Sequence, residues 1–200
     1  MTYSVAIYVF PNVEVLDFSG PFEVFTTASR VFLRQNPSRP APFSVYTVAR
    51  SLSPVTARAG LRVLPDHNMD TCPTPDLLLI PGGVVEAEMA EPEVLQWIRS
   101  SSQKAKITAS VCTGAFLLAK AGLLQGKSAT THWEDIADLR AQFPSLSVKE
   151  EVRWVDEESI VTSAGIAAGI DMSLHLVSRL GSKDLALLTA KQLGVPYSEA

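Results

Sequence analysis

Basic residues are too few and too scattered in this sequence to build a phosphate-binding surface. Seventeen Lys and Arg stand against 21 Asp and Glu, for a formal net charge of -4, and none of them gathers into a patch. A nucleic-acid partner is therefore not expected of the chain as it stands. Cysteine is scarce too: Cys72 and Cys112, set in very different surroundings, give no disulfide framework and suit a reducing compartment. No apolar run approaches the length of a membrane span, and Met1 to Phe10 has no basic segment leading into an apolar core and a cleavage site. A cytoplasmic protein with no membrane partner is expected. No two His, Cys or acidic residues stand at metal-ligand spacing on one element, and no glycine-rich loop runs into Lys-Ser or Lys-Thr. Neither a metal nor a phosphate site is indicated.

Apolar residues, in contrast, are plentiful. They make up 46% of 200 residues, with only 19% charged, which suffices for one well-buried domain over residues 1–200. Tyr3 to Phe10 reads as a first buried strand ended by Pro11 and Asn12, and a helix is expected over Phe22 to about Phe32, with Ser19 as its cap and Pro21 in its first turn. Phe43 to Ala49 is a second strand. Val55 to Leu64 suggests an antiparallel excursion, and Asp76 to Ile80 a fully buried strand running into Gly82 and Gly83. Helices follow from Glu91 to about Ser101, after Cys112, after Trp133, over Met172 to Leu180 and over about Lys183 to Leu193. Val148 to Val155 and Ser159 to Thr162 read as paired strands. Strands interleaved with helices imply a doubly wound α/β fold, a mostly parallel sheet with helices on both faces, whose ligands bind at the carboxyl ends of the strands.

That rule gathers the candidate residues. Ile107 to Val111 is a short uncharged strand that turns through Cys112 into the apolar helix opened by Gly114, so Ser110-x-Cys112-x-Gly114 has the form of a nucleophile elbow. A helix N-terminus beside the sulfur favours thiolate over thiol, so a depressed Cys112 pKa is expected, and not one at Cys72. The plain alternative is a small buried hydrophobe. Asp17 is an acid inside an apolar segment after strand one; it is either a cap or the proton-transfer partner of Cys112. Gly82, Gly83 and the N–H of Thr113 are candidates for an oxyanion or substrate-binding hole. His132 is an auxiliary candidate, with a structural hydrogen-bonding role as its alternative.

Several segments in order carry a resemblance: Leu16 to Pro21 (LDFSGP), Ile80 to Gly83 (IPGG), Ser110 to Gly114 (SVCTG), Ala121 to Gly126 (AGLLQG), Thr130 to Trp133 (TTHW), and Thr162 to Gly165 with Ala168 to Asp171. Together, from about Val5 to Leu193, the sequence resembles the DJ-1/ThiJ/PfpI superfamily of glutamine amidotransferase-like proteins. It is most similar to the isocyanide hydratase branch. The resemblance implies a flavodoxin-like fold, a homodimer, Cys112 as nucleophile and Asp17 as its acidic partner, with no cofactor. Thr113 stands where the protease branch has His, which argues against a peptidase. The sensory domains of AraC-type regulators share the same segments, Val155 to Leu176 above all. Two functions are therefore implied: hydration of an isocyanide to an N-substituted formamide, with Ile166 lining a small apolar pocket, or non-catalytic sensing of a small molecule. AraC-type regulators continue into a helix-turn-helix domain; since the sequence stops at Ala200, no DNA-reading part is expected in it.

Overall fold

The computed structural model describes residues 1–197. In chain order its elements are β1 (Tyr3–Tyr8), α1 (Val15–Gln35), β2 (Phe43–Ala49), β3 (Val55–Thr56), β4 (Arg62–Val63), β5 (His67–Asn68), β6 (Leu77–Ile80), α2 (Glu86–Met89), α3 (Pro92–Lys104), β7 (Ile107–Val111), α4 (Gly114–Lys120), β8 (Ser128–Ala129), α5 (Ile136–Gln142), β9 (Ser147–Val148), β10 (Trp154–Glu157), β11 (Ile160–Ser163), α6 (Ala168–Leu180) and α7 (Lys183–Leu193). Seven strands form the central sheet in the order β10-β11-β7-β6-β1-β2-β5. Every neighbouring pair is parallel except β10 with β11.

The chain leaves β1 toward β2 on one side and returns through β6 to β7 and β11 on the other. Right-handed crossovers in these opposite directions put their helices on opposite faces. In agreement, α1, α6 and α7 pack with one another, while α2, α3 and α4 form a separate group. Strands covered on both faces need apolar side chains throughout, which is why β6 and β7 are buried at every position. No helix is long and apolar enough to cross a membrane among the described residues.

Three local expectations need correction. Helix α1 begins at Val15, not near Phe22: Glu14 is the extended residue before it, and Pro21 lies inside the helix. Pro21 has no N–H to give the Asp17 carbonyl, a loss offset here by the burial of Phe18, Val24, Phe25, Ala28 and Val31 on α1. Asp17 therefore sits in the first turn of a helix. The strand expected from Val148 is interrupted, since Glu151 adopts a left-handed φ of 56°; β9 pairs with β8 instead, and the main-sheet strand starts only at Trp154. Helix α6 starts at Ala168, four residues before the expected Met172.

Candidate active site

Cys112 occupies the turn between β7 and α4 with a φ of 55°, the left-handed conformation that an elbow imposes on its nucleophile. The neighbourhood holds it there. Its N–H donates to Ser163 O at 3.1 Å, and its carbonyl accepts the Thr131 hydroxyl at 2.9 Å. A side chain at Gly114 would put Cβ 2.2 Å from the Ile80 carbonyl oxygen, so only glycine lets the elbow press against the end of β6. Cys112 retains 8% exposure.

Asp17 is fully buried. Its Oδ2 accepts the Gly82 N–H at 3.1 Å, and its carboxyl exchanges a hydrogen bond with the Cys112 thiol. Oδ1 has no conventional partner among the described residues. Burial pushes the acid up to about 7, with the Glu14 charge adding to it; the Gly82 N–H, the thiol and Arg58 act the other way. Burial likewise pushes the Cys112 thiol up to about 12, and the Asp17 charge adds to it, against the Thr113 N–H. The expected depression of the thiol is thus overturned: a single amide at the start of a seven-residue helix does not outweigh burial beside an acid. Burial raises Cys72 as well. Acid and thiol form one coupled system that shares a proton near neutrality.

The glycine amides expected to bind an oxyanion are already engaged. Gly82 N–H serves Asp17, and Gly83 N–H donates to the Thr113 hydroxyl at 2.8 Å, which in turn donates to the Gly83 carbonyl at 2.9 Å. The loop is folded onto the segment before α1, through the Val13–Gly83 bridge and the Glu14 N–H to Gly82 O bond, so these donors face protein. Of the expected set, the Thr113 N–H is the one directed at the sulfur.

His132 comes closer to the sulfur than its position in the sequence indicates. A Cβ on Gly165 would lie 2.4 Å from His132 Cδ2 and 2.9 Å from Cys112 Sγ, so the bare backbone at 165 lets imidazole and thiol converge. On its other side, His132 Nδ1 lies 3.5 Å from Asp135 Oδ2 and 3.7 Å from Glu134 Oε2. Asp135 is raised by its partial burial and lowered by His132. Ile166 follows Gly165 and is exposed, as are Leu16 beside Asp17, Val84 after Gly83 and Trp133 after His132. Each of these four exposed apolar residues is the chain neighbour of a candidate site residue. Sequence reasoning missed Glu14, Arg58 and Asp135, whose only signal was proximity in a fold not yet in hand; Gly165 stood in a quoted motif without a reason.

No group of three or more His, Cys, Asp or Glu is arranged to hold a metal ion among the described residues. A cavity of about 750 Å³ between β10, the start of α6 and Val195 to Tyr197 contains none of the candidate site residues. A flavodoxin-like sheet carrying a cysteine in an elbow, backed by a buried acid from the first helix, defines a class of α/β proteins.

The chain belongs to the DJ-1/PfpI family, whose profile matches residues 3–179. It is 37% identical over 194 residues to the isonitrile hydratase of Pseudomonas putida, covering 96% of this chain and 78% of that protein. It is also 34% identical over 139 residues to the helix-turn-helix transcriptional regulator CdhR of Pseudomonas aeruginosa, which spans 70% of this chain but only 41% of the regulator. Among solved structures, a ThiJ/PfpI family protein from Pseudomonas syringae superimposes with a TM-score of 0.85 at 31% identity, over 100% of this chain and 77% of that one.

Proposed function

We propose that the protein is a cysteine-dependent hydro-lyase that converts an isocyanide to an N-substituted formamide. The observation that carries this reading is the buried Cys112–Asp17 pair, in which the acid is raised to about 7 and so both takes and returns a proton at neutral pH. Asp17 accepts the thiol proton as sulfur bonds to the isocyanide carbon, then delivers it to that carbon, giving a thioimidate. Water adds across the C=N bond, nitrogen gains a proton, and collapse of the adduct expels the thiolate with release of the formamide. Asp17 takes the hydroxyl proton of the adduct as it collapses and passes it to the departing sulfur, which restores the thiol and the carboxylate. No oxidant, metal or cofactor enters this balance.

The surroundings fit a neutral, apolar substrate. Glu14 acts on Asp17 and Asp135 on Cys112, and the basic Arg58 is held by Glu14 at 3.2 Å, so an anion gains little there. Leu16, Val84, Trp133 and Ile166 offer apolar surface to the substituent on nitrogen. The test is a panel of isocyanides followed by formamide formation, with Cys112→Ala as the blank; no turnover by wild type across the panel removes the enzyme reading.

A second reading is favoured by the likeness to CdhR: the same site binds a small molecule without turnover and reports it. A ligand that protects Cys112 from alkylation and is recovered unchanged supports it. We also propose a homodimer. The cavity at α6 and a second groove along α1 meet at Ile170 and Val195, an apolar surface suited to a two-fold contact. Light scattering that shows only monomer at micromolar concentration removes that assignment.

A further inference from the structure

Arg58 has no place in the chemistry above, yet the fold delivers it to the start of α1. It sits in the turn between β3 and β4, outside the main sheet, followed by Ala59 at φ 56° and Gly60 at φ 86°. A left-handed alanine is strained, and strain of this kind persists where surrounding contacts over-determine the backbone. Those contacts are visible. Arg58 N–H donates to Val13 O at 3.0 Å, and Nη1 lies 3.2 Å from Glu14 Oε2. Glu14 is the residue before α1, and its carbonyl accepts the Asp17 N–H at 3.2 Å. Backbone and side chain together hold a guanidinium against Glu14, three residues before the acid.

We propose that Arg58 is a positioning residue for the Cys112–Asp17 pair: held by Val13 and Glu14, it supplies the cation that keeps the pair in its singly protonated form near neutral pH. This rests on Cys112 and Asp17 being the working pair of the proposed hydratase. The groups acting on Asp17 are Glu14 on its own helix, the Gly82 N–H from the loop after β6, the Cys112 thiol from the elbow, and Arg58 from the β3–β4 turn. Cys112 additionally feels the Thr113 N–H and Asp135. His132 also faces the sulfur across Gly165; Arg58 is the one guanidinium in this set, and it opposes Glu14. Each single loss therefore moves the pair in the opposite direction to the other.

The experiment follows alkylation of Cys112 by iodoacetamide between pH 5 and 9 in the full chain, on a Cys72→Ser background. The reaction reads the pair's protonation without needing turnover. Wild type is expected to inflect near 7. Arg58→Gln moves the inflection up by about 0.5 to 1 pH unit, because removal of a nearby cation favours the protonated pair. Glu14→Gln moves it down, the double variant returns it close to wild type, and Arg58→Lys leaves it in place. Salt at about 1 M shrinks both shifts. An unchanged profile in Arg58→Gln, or shifts of the same sign in both single variants, overturns the proposal. Opposite shifts in a protein that forms no formamide leave Arg58's role standing and remove the hydratase alone.

Discussion

Two carboxylates are buried near the carboxyl ends of the central strands, and they live in opposite circumstances. Glu88, 1% exposed in the short α2, accepts the Tyr8 hydroxyl at 2.5 Å on one oxygen and the Arg50 guanidinium at 2.8 Å on the other. Arg50 also pairs with Glu91 at 3.2 Å. Tyr8 is pushed well above its ordinary range, by burial first and by the Glu88 charge next. Asp17 has one backbone donor, a thiol and an oxygen without a conventional partner. The first acid is matched on both oxygens, so its charge ties α2 to β1 and β2. The second is left under-matched, and its proton becomes mobile at neutral pH. Partner count, more than burial, separates a structural acid from a chemical one.

The sharpest break in that comparison is in activity. Cys112→Ala is expected to abolish formamide formation, and Asp17→Asn to lower its rate by roughly 10²- to 10⁴-fold while preserving shape. Full activity in Asp17→Asn, measured by product chromatography, sinks the mechanism. Glu88→Gln, by contrast, leaves turnover close to wild type.

Stability sharpens it further. Glu88→Ala strands the Tyr8 hydroxyl and Arg50, and a loss of about 2 to 3 kcal/mol is expected in urea unfolding. Asp17 should behave the other way. Its ordinary value of 3.8 rises to about 7 on folding, so the native state holds a proton that the unfolded chain releases. Stability from this group is therefore lost as pH rises from about 4 to 7 and stays lost above it. Asp17→Asn removes that decline, so the variant should be more stable than wild type at pH 8 and level with it near pH 4. Equal urea midpoints for the two proteins at both pH values contradict the burial argument.

Smaller effects are expected around the sulfur. Gly165→Ala sets a methyl against both Cys112 Sγ and His132, and roughly a tenfold or greater loss of rate is expected from the displaced sulfur. His132→Ala should cost less, under about tenfold, because Asp17 already supplies acid-base capacity. A larger loss in His132→Ala than in Asp17→Asn would transfer the proton work to the imidazole.

Much of this was readable from local pattern. The buried runs at β1, β6 and β7, the antiparallel excursion at β3 and β4, and the helix from Lys183 to Leu193 follow from residue spacing and from turn residues close by in the chain. The elbow was readable too, since small residues on both sides of Cys112 leave few other uses for that turn. The start of α1 was misread because Pro21 and Ser19 look like an entry into a helix, whereas packing against the core carries the helix seven residues earlier. The thiol was misread because a helix N-terminus is visible in sequence and desolvation is not.

The sequence by itself determined the order of strands and helices, the elbow and the presence of an acid after the first strand, since each depends on residues within a few positions of one another. The tertiary structure alone decided what the acids do. Gly82 reaches Asp17 across 65 positions, Tyr8 reaches Glu88 across 80, and Gly165 lets His132 approach Cys112 only where β11 lies beside β7. Proton affinity follows from burial and from the partners that the fold brings together, and neither is written in the neighbouring residues.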